Sequence, residues 1–420
     1  MSFQQGLSGL NATSKNLQVI GNNIANANTF GTKVSRAEFA DMYASALNGA
    51  GATNVGIGTK LASVAQQFTQ GNIKTTENPM DLSINGAGFF QVGDGTSPVT
   101  YTRNGQFKVD REGYIVNNAA LRLMGYAADA EGQIQPGLAV ALQLPTGGVA
   151  PRTTTEMEFE LNLDSRSAVT APSGGAAIDF NDADTYNNAT SLTVYDVQGR
   201  EVALTYYFQK SGEGTWNVFA TANGTTVAGT DGDPQPVTTL TFAADGSAPT
   251  DPVGRISIDI PGTSRADGST TQPIAGVQLD LTAATQFGSP FGVTDVQQDG
   301  FAAGQLTAIV VENNGIIMAR YSNGQSRPAG QIEIANFRNP QGLQPLGDNQ
   351  WARTFASGDA VVGVPGDGNL GGLQAGALEE SNIDLTGELV NMIVAQRIYQ
   401  ANAQTIKTQD QVLQTLVNLR

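Results

Sequence analysis

The 420-residue chain contains no histidine and no cysteine, which removes most of the chemistry that residue spacing can reveal. There is no imidazole base, no thiolate nucleophile and no disulfide. The usual ligand sets for zinc, copper and iron–sulfur clusters are missing too. Catalysis would have to rest on carboxylates, hydroxyls, lysine or an oxygen-ligated ion. Asp179, Asp182 and Asp184 crowd one stretch, but their spacing is not that of an EF-hand loop and they read as a solvated turn. Gly366-Asp367-Gly368 and Gly371-Gly372 lack the Gly-Lys-Ser/Thr that a phosphate loop needs. Lys33, Lys60 and Lys74 are scattered, without a Ser-x-x-Lys arrangement. No carboxylate pair is singled out for glycoside cleavage. Trp216 and Trp351 read as core anchors rather than ligand platforms. The expectation is a chain without catalytic residues, metal or organic cofactor.

Charge narrows the partners. Lys and Arg number 22 against 38 Asp and Glu, a net charge of −16, so bulk electrostatics oppose binding to nucleic acid or to an anionic membrane. No run of about 18 apolar residues is present, which argues against membrane insertion. The first twenty residues lack the basic and apolar regions of a cleaved signal peptide. The absence of cysteine suits a protein exported unfolded without becoming cross-linked.

The elements that would position any site fall into three zones. At the N-terminus Phe3, Leu7, Leu10, Leu17 and Ile20 or Ile24 follow spacings of three and four, with Ser14 at the intervening position. That is one apolar stripe on a helix. Gly6, Gly9 and Gly21 lie within it, and each costs roughly 1 kcal/mol relative to alanine. Such a helix needs a partner. The C-terminal stretch from Asp384 supplies one. Leu389, Met392, Gln396, Tyr399, Ala403, Ile406, Asp410, Leu413 and Val417 repeat at four and three, widened by Ile393, as in a coiled-coil seam with polar interruptions. Ser381-Asn382-Ile383-Asp384 supplies capping side chains. Both helices are rich in Asn, Gln and Thr on their polar faces, which suits contact with neighbours all round in a packed polymer wall. In the isolated subunit the ends are expected to be mobile and Ile406 exposed.

Between the ends, 50 glycines and 17 prolines call for many tight turns and short strands. Asn-Gly, the strongest short hairpin signal, occurs at Asn85-Gly86, Asn104-Gly105, Asn223-Gly224, Asn314-Gly315 and Asn323-Gly324. Glu112-Gly113 and Gln198-Gly199 mark further turns. Residues 150–285 are dense in Thr, Asp, Gly and Pro and read as an inserted outer β domain. The flanks, 71–149 and 286–372, would form one discontinuous inner β domain. Residues 1–70 and 373–420 would form a terminal helical assembly domain. The fold class expected is mainly β, with paired, coiled-coil-like terminal α-helices and β domains nested by insertion.

The residues at both ends also resemble a known family. Ser8-Gly9-Leu10-Asn11, Asn22 to Thr29 and Gly31-Thr32-Lys33 are similar to the N-terminal signature of the bacterial flagellar rod and hook axial proteins. Gly376 to Asn382, Asp384-Leu385, Glu388 to Arg397 and Tyr399 to Asn402 resemble that family's C-terminal signature. Asn85 to Phe90 and Tyr101 to Phe107 look family-like as well. Rod members are markedly shorter and lack a large insertion, so length points to the hook branch; a distal rod or hook–filament junction subunit is the alternative within the family. A secreted β-rich carbohydrate-active enzyme or adhesin is the alternative outside it.

The resemblance implies a homopolymer, a curved flexible tube passing torque from motor and rod to filament. It implies contacts with rod, hook-cap and junction proteins. It places the protein outside the cell, on the flagellum, delivered by the flagellar export apparatus without a cleaved signal peptide. Phe39, Met42 and Tyr43 resemble the family's export-recognition patch.

Overall fold

The computed structural model describes residues 2–42, 56–129, 132–172, 178–264 and 268–418. Helix α1 (Ser2–Ala25) opens the chain and helix α2 (Leu385–Asn418) closes it. Between them the described residues form strands and two short 3-10 turns. The fold is mainly β with terminal helices that pack on each other. The chain divides into two compact units: Met1–Thr146 with Thr307–Arg320 and Ser326–Arg420, and Gly147–Leu306 with Tyr321–Gln325.

In the first unit the outgoing and returning ends of the chain run side by side. Ile73–Thr75 pairs antiparallel with Ala377–Glu379, and Leu82–Asn85 pairs with Gly372–Ala375. This pairing is the physical reason that both helices leave from one place. Beyond it a large sheet runs through Ile316–Tyr321, Ser326–Ile332, Arg122–Ala127, Phe89–Gly93, Thr100–Thr102, Gln350–Ala352 and Gln344–Gly347. Its core gathers Leu82, Ile84, Phe90, Phe107, Ile115, Leu123 and Ile332. A second cluster packs Phe89, Tyr101 and Phe337 around Trp351.

An acid is buried beside this core. Glu333 stands between Ile332 and Ile334, 3 % exposed, and Tyr126 Oη donates to its Oε1 at 3.0 Å. Burial pushes its pKa above the ordinary glutamate value of 4.5, against the opposing pull of the Tyr126 hydrogen bond. The folded state therefore holds this proton more tightly than the unfolded chain. The contribution of Glu333 is most favourable below the unfolded value and is lost as pH rises through the raised folded value. Glu333→Gln is expected to melt about 2–4 °C higher than the parent at pH 7. That advantage should vanish at pH 4.5, as calorimetry at both pH values can check. An advantage independent of pH would assign it to packing instead.

The second unit is a sandwich. One sheet runs Ile256–Ile260, Ile274–Asp280, Glu156–Asn162, Gly292–Gln298, and the other runs Asn188–Tyr195, Glu201–Gly212, Thr215–Ala222, Thr238–Phe242, Pro249–Asp251. Both contribute to one cluster that includes Phe159, Leu161, Tyr206, Phe208, Trp216, Val277 and Leu279. Strands with one face buried alternate as pleating requires: Glu156–Asn162 buries Met157, Phe159 and Leu161 and turns its glutamates outward. Gly292–Gln298 pairs with Glu156–Asn162, so strand pairing carries this unit on to Leu306. A self-contained core predicts that residues 147–306 expressed alone melt in one cooperative step, reported by the fluorescence of buried Trp216. A gradual loss of signal would mean that the core is incomplete without the rest of the chain.

The Asn-Gly pairs divide. Asn223-Gly224, with φ +49° and +87°, closes a two-residue hairpin in which Ala222 faces Thr225. Asn314-Gly315 and Asn323-Gly324 turn between neighbouring strands. Asn85-Gly86 and Asn104-Gly105 do not make hairpins, because the strands on either side of each pair with other partners. Gly105 is instead a close-approach point: a β-carbon there would stand 1.5 Å from the Leu82 carbonyl oxygen.

Candidate assembly site

Helix α2 runs for 34 residues, about 50 Å at the usual rise. Asp384 opens it, its Oδ1 accepting from Thr386 N at 3.0 Å, and Glu388 places a further negative charge in the first turn. Helix α1 lies antiparallel to it. Asn23 Nδ2 donates to Glu388 Oε2 at 3.2 Å near one end of the pair. Near the other end, a β-carbon on Gly6 would lie 3.1 Å from Ile406 Cγ1, and one on Gly9 would lie 2.9 Å from Asn402 Nδ2. Thr13, Ile20 and Asn23 on α1 and Ala395 on α2 are buried. The contact face of α1 is therefore Gly6, Gly9, Thr13, Ile20 and Asn23, with heptad spacing built from small and polar residues around the one large apolar side chain of Ile20. Gly6 and Gly9 make room for the Ile406 and Asn402 side chains of α2; Gly21 faces open space.

Except at Ile20, which belongs to both, that face is rotated by one residue from the apolar stripe that sequence spacing picks out. Of the expected stripe, Phe3 and Leu7 are exposed and Leu10, Leu17 and Ile24 are half-buried. On α2, Leu389, Ile393, Tyr399 and Leu413 are exposed, while Met392 and Ile406 are half-buried. The side chain of Val417 lies outside the described residues. Ile406, expected to be exposed in the free subunit, already packs against Gly6. Val390, Val394, Ile398 and Val412 are exposed as well. The free chain thus closes its small-residue seam and leaves a long apolar surface open to a partner.

A hairpin of β1 (Ser35–Met42) and β2 (Gly58–Gln66) follows α1 and reaches back to it, with Gln5 Nε2 donating to Gly56 O at 2.6 Å. Phe39 and Met42 lie on β1, Phe39 exposed and Met42 half-buried. Three residues apart in a strand, they point to opposite faces. Tyr43 lies outside the described residues.

Where the helices join the sheet, three charges are buried together. Lys33 Nζ donates to Glu379 Oε1 at 2.7 Å and to Thr69 O at 2.8 Å. Arg103 Nη1 donates to Glu379 Oε2 at 3.1 Å, and Nη2 donates to Gly86 O at 2.8 Å. Gly71 N donates to the same carboxylate at 2.9 Å. All three side chains are at most 5 % exposed. Burial pulls the Lys33 ammonium below the ordinary lysine value, opposed by the carboxylate it touches. Local pattern gave no warning of this knot, and Lys33 in particular reads as an isolated lysine until the strands around it are paired.

The other chemical candidates resolve as local structure. Asp182 caps the turn Ala183–Thr185, and Asp179 accepts from Asn181 N. Gly366 and Gly368 lead into the strand Gly372–Ala375, not into a helix N-terminus. A cleft of about 470 Å³ is lined by Asn26, Asn104, Gln106, Asn117, Asn118, Asn349 and Gln350, two threonines, Ala119 and the carboxylate of Asp348. It offers carboxamides for hydrogen bonding but no paired acid and base. Among the described residues no group of three or more His, Cys, Asp or Glu could hold a metal ion.

Paired terminal helices with an open apolar surface, carrying a discontinuous β unit and a nested β sandwich, define a subunit built to pack among copies of itself. Family comparison places that class in the flagellar axis. Residues 3–33 match the flagella basal body rod protein model and 83–175 the flagellar hook protein FlgE/F/G D1 domain. Residues 162–301 match the flagellar basal body protein FlaE D2 domain, and 374–419 the flagellar basal body rod FlgEFG protein C-terminal model. Over its full length the chain is 42 % identical to the flagellar hook protein FlgE of Salmonella typhimurium, and both chains are covered completely. It is 40 % identical to FlgE of Escherichia coli K12, again over all of both chains, and 32 % identical to FlgE of Borreliella burgdorferi over all of this chain and 99 % of that one. The crystal structure of Helicobacter pylori flagellar hook protein FlgE2 shares the fold, with a TM-score of 0.54 at 15 % identity over 73 % of this chain and all of that one. The chain belongs to the FlgE family of flagellar hook proteins.

Proposed function

We propose that this chain works as the wall subunit of the hook, polymerising into a curved, flexible tube that carries torque from the rod to the filament. The observation that carries this reading is the exposed apolar surface of the paired terminal helices, with Leu389, Ile393 and Leu413 each nearly half exposed. Such a surface is costly to leave in water, at about 25 cal/mol per Å², and the repeating partner available to a polymer subunit is another copy. The terminal helical part, residues 1–70 and 373–420, would line the tube and the inner β unit would build the wall. Polar, weakly charged β surfaces permit neighbouring copies to slide during bending. Rod, hook-cap and junction proteins would be its end partners, and the flagellar export apparatus would deliver it without a cleaved signal peptide. A structural role needs no catalytic group and no cofactor.

The experiment is salting-out of purified protein followed by electron microscopy. Tubes are the expected result. Amorphous precipitate under all conditions would count against a polymerising subunit. Hydrolysis of a glycan panel that disappears with one carboxylate substitution would favour an enzyme.

A further inference from the structure

Apolar contact at the junction comes from Phe68, just after β2, which packs edge-on against Phe89 and Trp351. Among the described residues, the two hydrophobic clusters of this unit include no side chain of α1, α2, β1 or β2. Many of the ties that cross the junction are polar. The loop after α1 contributes Lys33, the loop after Thr100–Thr102 contributes Arg103, and the end of Ala377–Glu379, just before α2, contributes the shared carboxylate. Asn382 adds a second tie, its Oδ1 accepting from Val34 N at 2.7 Å and its Nδ2 donating to Gln67 O at 2.8 Å.

We infer that Lys33, Glu379 and Arg103 are positioning residues for assembly: they fix the direction in which the helix pair leaves the β sheet, and so the angle at which a subunit presents its helices to the polymer. Apolar contacts are non-directional, whereas hydrogen bonds to a carboxylate fix both distance and angle. The charge balance favours orientation over stability. Two cations share one carboxylate, and Arg103 Nε has no hydrogen-bond partner. Buried ion pairs of this kind often add little net stability over apolar residues of the same volume, while breaking them singly is costly. Other contacts cross the joint, among them Trp351 Nε1 donating to Gln66 Oε1 and Asn349 Nδ2 donating to Phe30 O, but the charged knot is its most buried directional tie, and without it the joint is expected to sample more than one angle.

The absence of cysteine makes the angle measurable. Cysteines introduced at exposed Gln400 on α2 and exposed Lys108 on the sheet can each carry a spin label, with the distance between them read by pulsed EPR on the full-length monomer. Glu379→Gln alone leaves two buried cations without a carboxylate, and it can fail to fold. Lys33→Met with Glu379→Gln removes one charge of each sign and leaves the buried net charge as it was. The parent is expected to give one narrow distance distribution. The double variant is expected to melt within about 5 °C of the parent, to broaden the distribution about twofold and to lose tube formation. A distribution as narrow as the parent's overturns the inference, as does a collapse in melting temperature without broadening. Broadening with normal tubes overturns the step from angle to assembly. The distance measurement does not depend on the reading of the helices as the assembly part; only the tube assay rests on it. Failure of that reading would show separately, as an exposed-stripe variant that still polymerises.

Discussion

Ile393→Asp is expected to abolish tube formation while leaving the free subunit folded and stable. Ile393 is 52 % exposed in the single chain, on a face of α2 that does not meet α1. A carboxylate there stays hydrated in the monomer, and the change in helix propensity from Ile to Asp is only a few tenths of a kcal/mol. In a polymer that buries this face the same carboxylate would lose most of its water, and Arg397, one turn on, would offset only part of that cost. The cost is several kcal/mol per subunit, repeated at every step of a growing tube. The buried apolar contribution of Ile393, about 1.5–3 kcal/mol, is lost as well. Leu389→Asp, one turn earlier and 46 % exposed, should behave the same way. Circular dichroism of the monomer and electron microscopy of salted-out protein separate the two effects. Normal tubes from both variants would mean that this surface faces solvent in the polymer. Equal losses of monomer stability and of tubes would mean that the surface is already packed in the free chain.

Local pattern carried the architecture further than it carried the contacts. Terminal helices, hairpins such as Asn223-Gly224 and a nested β organisation are all readable, because each depends on residues close together in sequence. The helix seam is different. Period counting selects the most apolar stripe, Leu7, Leu10 and Leu17, but α1 has two interleaved heptads, and which of them meets α2 is decided by how closely the backbones can approach. Gly6, Gly9 and Thr13, also spaced at three and four, carried that signal and could be taken for weak points in a helix. The apolar stripe is then left exposed at Phe3 and Leu7 and half-buried at Leu10 and Leu17. The charge knot was illegible for another reason. It exists only because Ile73–Thr75 pairs with Ala377–Glu379, a contact between opposite ends of the chain that no local window contains. Its three residues nonetheless fall in Gly31-Thr32-Lys33, Tyr101 to Phe107 and Gly376 to Asn382, stretches that carry the family resemblance. For Phe39 and Met42 a strand places the two side chains on opposite faces.

The seam itself makes a graded prediction, because the three glycines of α1 meet different surroundings. Gly21 has no neighbour within 4 Å of a β-carbon, so Gly21→Ala should stabilise the helix by up to about 1 kcal/mol through propensity alone. At Gly9 the same gain is opposed by the Asn402 amide at 2.9 Å, the movable end of a side chain, and Gly9→Ala should come out near neutral. Gly9→Val adds two further methyl groups to a site that cannot take them. Overpacking costs about 1–3 kcal/mol, which exceeds the few tenths gained over glycine in propensity. Ile406→Asp should be the most damaging. It removes an apolar contact with Gly6 and places a charge against the seam, so unlike Ile393→Asp it weakens the helix pair in the monomer as well as the polymer. The order of helix melting followed at 222 nm should therefore be Gly21→Ala, then parent and Gly9→Ala together, then Gly9→Val, then Ile406→Asp. Limited proteolysis should release the termini in the reverse order. If Gly9→Val melts with the parent while Gly21→Ala does not rise, α1 and α2 do not pair through this face in the free chain. The outward apolar stripe would then have to be the intramolecular seam.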